Sequence, residues 1–213
     1  MIKYYLFDFD GTLVDSMPSF ISTMLRILDE NGIEYDDGIV NVITPLGYLG
    51  TARYYVGLGV PMTEDELVAK MNEYALDDYA HRILAKSNVI EVLKELKARG
   101  ASLNVLTASP HSALDPCLQR LGIFELFDNV WSCDDFGTTK ADTQIYVRAA
   151  EKMGAQVREV LFLDDNLNAD KTAKAAGMKV CGVYDDSSRN LEKEIKAATD
   201  FYIHDFSELL SIE

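Results

Sequence analysis

The chain has 213 residues, 48% of them hydrophobic, which suffices for one large core or a core with a smaller inserted unit. Its 20 Lys and Arg stand against 35 Asp and Glu, a formal charge of −15 that argues against nucleic acid and anionic membranes as partners and favours a small molecule. An anionic substrate would then need local neutralisation by a metal or a buried Lys.

The apolar run Tyr4-Tyr5-Leu6-Phe7 reads as a strand that ends in Asp8-Phe9-Asp10-Gly11-Thr12. Strand alternation sends Asp8 and Asp10 to one side and Phe7 and Phe9 to the other, and Gly11 lets the backbone turn sharply. Two carboxylates held this close repel unless a cation or a shared proton intervenes, so the pair invites a hard divalent metal. Ser16 is placed to cap a helix whose apolar positions Phe20, Met24, Leu25 and Leu28 recur at helical spacing and which stops near Asn31-Gly32. A short helix is expected from Gly47 to about Tyr55, and Thr63-Glu64-Asp65-Glu66 resembles a capping box opening a long helix to about Leu84. Residues 16–84 are therefore expected to form an all-α insertion, with 1–15 and 85–213 as the core.

From Ser87 the pattern alternates. Helices are expected over Val89 to Arg99, Ser112 to Leu121, Asp142 to Met153 and Lys171 to Ala176, with a short one at the end. Strands are expected at Ser102 to Leu106, ending at Thr107, then at Asn129 to Cys133, Val160 to Leu163, Lys179 to Val183 and Phe201 to Ile203. This order predicts an α/β fold with a doubly wound parallel sheet, whose ligands bind beyond the carboxyl ends of the strands. Cys117, Cys133 and Cys181 have no Cys-x-x-Cys spacing and read as reduced thiols. His81, His111 and His204 have no metal-ligand spacing. Met1-Ile2-Lys3 leads straight into a strand, and no apolar run approaches membrane-spanning length, so the cytoplasm is the expected location.

The sheet should gather Asp8, Asp10, Thr107, Lys140, Asp164 and Asp165 at one edge. Asp8, Asp10 and the Asp164-Asp165 pair offer oxygen ligands for Mg²⁺. Thr107, with the backbone N–H groups of Ala108 and Ser109, offers donors to a phosphate oxygen, and Lys140 adds a point charge. Taken alone, Thr107 is a turn former, Lys140 a surface Lys, and Asp164-Asp165-Asn166 a helix cap. In order, they describe a phosphate site with one Mg²⁺.

That order resembles the haloacid dehalogenase superfamily of phosphotransferases, the Rossmann-like HAD fold, in its small-helical-cap form. The D-x-D-G-T motif falls on Asp8 to Thr12, the strand-ending Ser or Thr on Thr107, the Lys before a helix on Lys140, and the acidic pair on Asp164-Asp165. The chain departs from the family at Ala141, where Pro often follows the Lys, and at Ser87-Asn88, where Pro-Gly is common. Ala169 stands where a second acidic or amide group often lies, with Asn168 and Asp170 beside it. Counting back from Gly177, Asp165 aligns best with the family's metal ligand and Asp164 is the second choice.

The resemblance implies a phosphatase in which Asp8 attacks phosphorus and forms an aspartyl phosphate. Asp10 would serve as general acid and then base, with its backbone carbonyl as a metal ligand. Asp10 argues against true dehalogenases, which lack it. A sugar-phosphate mutase is the nearest rival, but those enzymes carry a His at the position of Phe20. Val14-Asp15-Ser16-Met17-Pro18 is closer to the phosphoglycolate phosphatase branch. A non-hydrolytic phosphoacceptor or regulatory protein is the reading from another class, although signalling receivers place the acceptor on a later strand and lack a helical insertion. A cap of this family would close over the site; its candidate substrate contacts are Tyr48, Arg53 and Tyr54. The expected partner is a small phosphorylated metabolite.

Overall fold

The computed structural model describes residues 2–36 and 38–212, with Met1, Asp37 and Glu213 outside them. Short apolar runs form its strands β1 (Tyr4–Phe7), β2 (Ser102–Thr107), β3 (Asn129–Ser132), β4 (Val160–Asp164), β5 (Lys179–Val183) and β6 (Phe201–Ile203). They make one six-stranded sheet in the order β3-β2-β1-β4-β5-β6, with every neighbouring pair parallel. The central strands are buried on both faces, which is why they read as continuous apolar runs. Leu6, Leu106, Phe162 and Val180 share one cluster with Tyr146, Ala149 and Ala173. On the other face, Phe7 stacks on Tyr5 and Phe206 and meets Phe127 edge-on. Buried Asn104 ties three strands together: it donates to the Tyr5 carbonyl at 3.2 Å and accepts from Asn129 at 2.7 Å.

The chain divides into two compact units, Met1–Asp15 with Leu84–Glu213, and Ser16–Ile83. The second is helical, built from α1 (Met17–Glu30), α2 (Ile39–Ile43), α3 (Gly47–Gly57) and α4 (Glu64–His81). Met24, Ile27, Leu28, Ile43, Tyr55, Leu67 and Met71 form its core, and the Tyr55 hydroxyl donates to the Met24 carbonyl at 3.1 Å. The Thr63/Glu66 capping box is present. Three details differ from expectation. Ser16 occupies the N-cap position, but its hydroxyl makes no capping bond and is buried without a partner among the described residues, and Pro18 marks the helix start instead. Helix α2 has no counterpart among the expected elements, because five residues carry too little periodicity to register. Helix α4 stops at His81 rather than near Leu84, since Arg82 leaves helical geometry and both Arg82 and Ile83 bond back to the Asp78 carbonyl.

The first unit carries α5 (Val89–Ala98), α6 (His111–Arg120), α7 (Thr143–Lys152), α8 (Leu167–Ala176) and α9 (Glu192–Ala198). Helix α8 begins at Leu167, four residues before the expected Lys171, because the Asn166 side chain accepts from the Asn168 and Ala169 N–H groups. Strand β3 ends at Ser132, whose hydroxyl caps a 3₁₀ turn over Cys133–Phe136, so Cys133 is not a strand residue. The terminal Phe206–Ser211 segment is likewise 3₁₀ rather than α-helical. Cys117, Cys133 and Cys181 are buried free thiols. Among the described residues no helix is long and apolar enough to cross a membrane.

The Ser87-Asn88 departure has a structural consequence. Asn88 sits at φ +62°, the one positive-φ residue other than Gly among those described, and its amide donates to both carboxylate oxygens of Asp205 at 2.9 Å. Asn tolerates this left-handed geometry better than other residues with a Cβ. Asn88→Ala should therefore lower stability by about 1–2 kcal/mol. Asn88→Gly should cost less, because it loses only the Asp205 bonds. Urea unfolding midpoints of the two variants check this ranking.

Candidate active site

Strands β1 and β4 are adjacent, but the sheet continues from β1 toward β3 and from β4 toward β6. The loops leaving their carboxyl ends therefore diverge, which opens a crevice at the topological switch point. Phe7 pairs in register with Val105 and Leu163, so Asp8 emerges level with Asp164, and the Asp8 N–H donates to the Leu163 carbonyl at 2.8 Å. After Asp8 the chain closes a tight turn in which the Leu13 and Val14 N–H groups bond to the Phe9 carbonyl. Gly11, at φ +74°, makes the turn possible, and a Cβ there would lie 2.7 Å from the Asp165 carboxylate.

Lys140 joins the two acidic loops. Its ammonium donates to Asp164 Oδ2 at 2.8 Å and to Asp8 Oδ1, and its side chain is only 14% exposed. Burial works against the Lys140 charge, yet the Asp164 and Asp8 carboxylates outweigh it and hold the ammonium above its ordinary range. Burial pushes the Asp8 carboxyl well above the usual carboxylate range; Lys140 pulls it down, while Asp164, Asp165 and Asp10 add to the rise. Asp165 is pushed up to about 7 by burial and by Asp164 and Asp185, against Lys140 and Lys86.

Oxygens of Asp8, Asp164 and Asp165 all lie within 4.8 Å of one another. Fully ionised, these three carry one negative charge more than Lys140 and a further monovalent cation could cancel, and a divalent cation fits the surplus. A donor set made only of oxygen suits a hard ion. The Asp10 side chain is not in this cluster: Ser109 Oγ donates to its Oδ2 instead. Asp164 is heavily committed, with Oδ2 on Lys140 and Oδ1 accepting from the Asn166 N–H at 2.8 Å. Asp165 accepts from the Thr12 hydroxyl at 3.2 Å.

Thr107 is buried at the tip of β2, and its Oγ1 accepts from the Ser109 N–H at 3.0 Å. That N–H was an expected phosphate donor, but it is spent within its own loop, leaving the Thr107 hydroxyl proton and the Ala108 backbone as the donors of this loop to consider. What the sequence reading missed are the side-chain roles of Thr12 and Ser109, and any role for Tyr146. Thr12 lies inside the D-x-D-G-T run and Ser109 two residues past Thr107, so both were adjacent to recognised signals. Tyr146 was not, although its buried hydroxyl reaches the Lys140 and Ala169 carbonyls at 3.1 and 3.2 Å and fixes the Lys140 loop against α8.

The three contacts expected from the helical unit all lie on α3. Tyr48 stacks on Phe20 with ring centres 4.9 Å apart, and its hydroxyl pairs with Thr23 at 3.1 Å. Arg53, 64% exposed, donates to Glu64 at 3.0 Å, so within this unit its partner is a carboxylate rather than a bound anion. The Tyr54 ring lies beside that of Tyr55.

Residues 2–177 match the model of the haloacid dehalogenase-like hydrolases. The chain belongs to this family. Among HAD relatives, it is 25% identical to the validoxylamine A 7′-phosphate phosphatase of Streptomyces hygroscopicus subsp. limoneus, covering 98% of this chain and 96% of that one. It is 28% identical to a phosphoglycolate phosphatase of Haemophilus influenzae over 97% and 96% of the two chains. The fold is shared with a Thermotoga maritima protein described as a candidate β-phosphoglucomutase, at a TM-score of 0.86 and 19% identity over 100% of each chain. A HAD family hydrolase from Deinococcus radiodurans with bound phosphate and sodium superposes at a TM-score of 0.78 and 19% identity, over 98% and 93% of the chains. The HAD assignment makes this chain a hydrolase built on a parallel sheet with a helical insertion.

Proposed function

We propose that this HAD hydrolase is a phosphatase that cleaves a small-molecule phosphomonoester through an aspartyl phosphate on Asp8. The observation that carries the reading is the buried Asp8–Lys140–Asp164 arrangement at the switch point, beside Asp165 and beside the Asp10–Ser109 pair. The relatives named above include phosphatases of small phosphorylated metabolites.

Asp8 attacks phosphorus, forming the Asp8 oxygen–phosphorus bond as the bond from phosphorus to the leaving oxygen breaks. Asp10, steadied by Ser109, gives its proton to that oxygen. It then takes a proton from the water that attacks phosphorus, and the acyl phosphate bond breaks to release inorganic phosphate. Lys140 and Thr107 face the charge on the transferring oxygens from fixed positions, so little reorganisation is needed as charge develops. Asp8, Asp165 and the Asp10 backbone carbonyl would hold Mg²⁺, with Asp164 holding Lys140 in place. The ion would keep Asp8 ionised and offset the repulsion between it and a negative phosphate.

A mutase must move a proton to and from a sugar hydroxyl. Phe20, stacked on Tyr48, cannot serve as the residue that does so. The phosphatase reading is accordingly preferred, with a small phosphorylated metabolite in the cytoplasm as its substrate and the phosphoglycolate branch as the first place to look. The test is Mg²⁺-dependent phosphate release from a panel containing phosphoglycolate, sugar phosphates, nucleotides and pyridoxal phosphate. Release that is lost in EDTA and recovered with Mg²⁺ is the expected result. Silence across the panel from folded protein that binds Mg²⁺ would turn the assignment toward a mutase or a regulatory phosphoacceptor.

A further inference from the structure

Lys86 belongs to the sheet-bearing unit and takes no part in the chemistry above, yet its ammonium is as fully committed as that of Lys140. It donates to the Gly11 carbonyl at 2.7 Å, the Tyr184 carbonyl at 2.5 Å and Asp185 Oδ2 at 3.0 Å, with the side chain 19% exposed. An ammonium has three protons, and here each has an acceptor. The Lys86 backbone is engaged as well: its N–H donates to the Leu13 carbonyl at 3.0 Å, and the preceding residues pair with the same turn through Val14–Ala85 and Asp15–Leu84.

The placement of the acceptors gives this knot its meaning. Gly11 follows β1 and Tyr184-Asp185 follows β5, and in the sheet β1 and β5 lie on either side of β4. The three bonds therefore span the tip of β4, where Asp164 and Asp165 emerge. Gly11 is packed so closely on the Asp165 carboxylate that a Cβ would not fit, and its carbonyl sits one peptide beyond Asp10. A shift of Gly11 must therefore move both the Asp10 peptide and the wall against which Asp165 rests. Lys86 also brings a positive charge to Oδ2 of Asp185, a 5% exposed carboxylate on the Asp165 side of the site whose Oδ1 accepts from the Ser187 N–H and hydroxyl.

We propose that Lys86 is a positioning residue that brackets the tip of β4, fixing the Gly11 turn against Asp165 and thereby setting the cation site and the placement of Asp10. Its kinetic consequence rests on the phosphatase reading, whereas its effect on cation binding requires only the acidic cluster.

The test compares wild type with Lys86→Met, which keeps the stem and removes the donors, and with Lys86→Arg, which restores charge and donors. Mg²⁺ affinity is read by calorimetry, kcat and KM by phosphate release from the best panel substrate, and folding by thermal unfolding. Lys86→Met should weaken Mg²⁺ binding and lower kcat, each by about 10- to 100-fold, the range seen when a residue that orients metal ligands is lost. KM should change less than about threefold, and Lys86→Arg should recover most of both losses. If Lys86→Met does not fold, Lys86→Gln, which retains two donors, takes its place with an intermediate loss expected. A folded variant with a lower melting temperature but unchanged Mg²⁺ affinity and kcat would overturn the proposal, leaving Lys86 a structural residue. If wild type releases no phosphate, the phosphatase reading fails by itself and the calorimetric comparison still decides the role of Lys86.

Discussion

Asp8→Asn is expected to lower phosphate release by about 10⁴-fold or more while leaving the fold intact, because an amide oxygen cannot form the acyl phosphate that the reaction passes through. The variant should also be no less stable than wild type in metal-free buffer. Burial and three neighbouring acids already disfavour the charge on Asp8, and an uncharged isostere relieves that repulsion while its amide oxygen can still accept from Lys140. Steady-state release and thermal unfolding measured on the same preparation check both halves. Substantial activity in a homogeneous Asp8→Asn sample would remove Asp8 as the nucleophile.

The second large effect concerns Asp170, in the first turn of α8. It is fully buried, neither of its carboxylate oxygens has a partner among the described residues, and burial followed by Asp164 and Asp165 pushes its pKa up to about 9. The folded state therefore keeps a proton that the unfolded chain releases above roughly pH 4. The stability contributed by this group is full below that pH and is lost as pH rises toward 9. Asp170→Asn removes the titration without changing the shape. In metal-free buffer it should be more stable than wild type by about 2–4 kcal/mol at pH 7, with the difference shrinking toward zero near pH 4. Asp170→Val, which also removes the unpartnered oxygens, should stabilise the protein at both pH values. Urea midpoints from pH 4 to 8 give the comparison, and a difference independent of pH would show that Asp170 is not held protonated in the fold.

Asp170 also marks where sequence reasoning ran out. The sequence places Asp170 beside Ala169 without indicating that it is buried, and α8 starts earlier than its apolar pattern suggests. That start follows from Asn166 capping with its side chain; the sequence offered Asp164-Asp165-Asn166 as a cap, but the polar first turn after it carries no apolar periodicity to join it to a helix placed from Lys171. Short elements were lost for a similar reason: α2 and the 3₁₀ turns at Cys133 and Phe206 span too few residues for periodicity to separate them from loop. Ser16 failed in the opposite direction, having the right identity and position for a cap without making the bond.

The strands were legible because a parallel sheet covered on both faces demands largely apolar runs, and Tyr4–Phe7 and Val160 to Leu163 supply them without a break, Ser102–Thr107 with only Asn104 inside it. The polar residues at their ends were legible because a carboxylate or hydroxyl that closes a buried strand stands out against it. Sequence by itself therefore determined the α/β class, the helical insertion and the identities of Asp8, Asp10, Thr107, Lys140, Asp164 and Asp165 as candidates. Only the tertiary structure decided how they divide their tasks: that Lys140 takes up Asp164, that Ser109 holds Asp10, and that Lys86 reaches from β1 to β5 across β4. Those bonds join residues 24, 99, 75 and 98 or more positions apart, and such pairings are set by strand order and register, which no local pattern encodes.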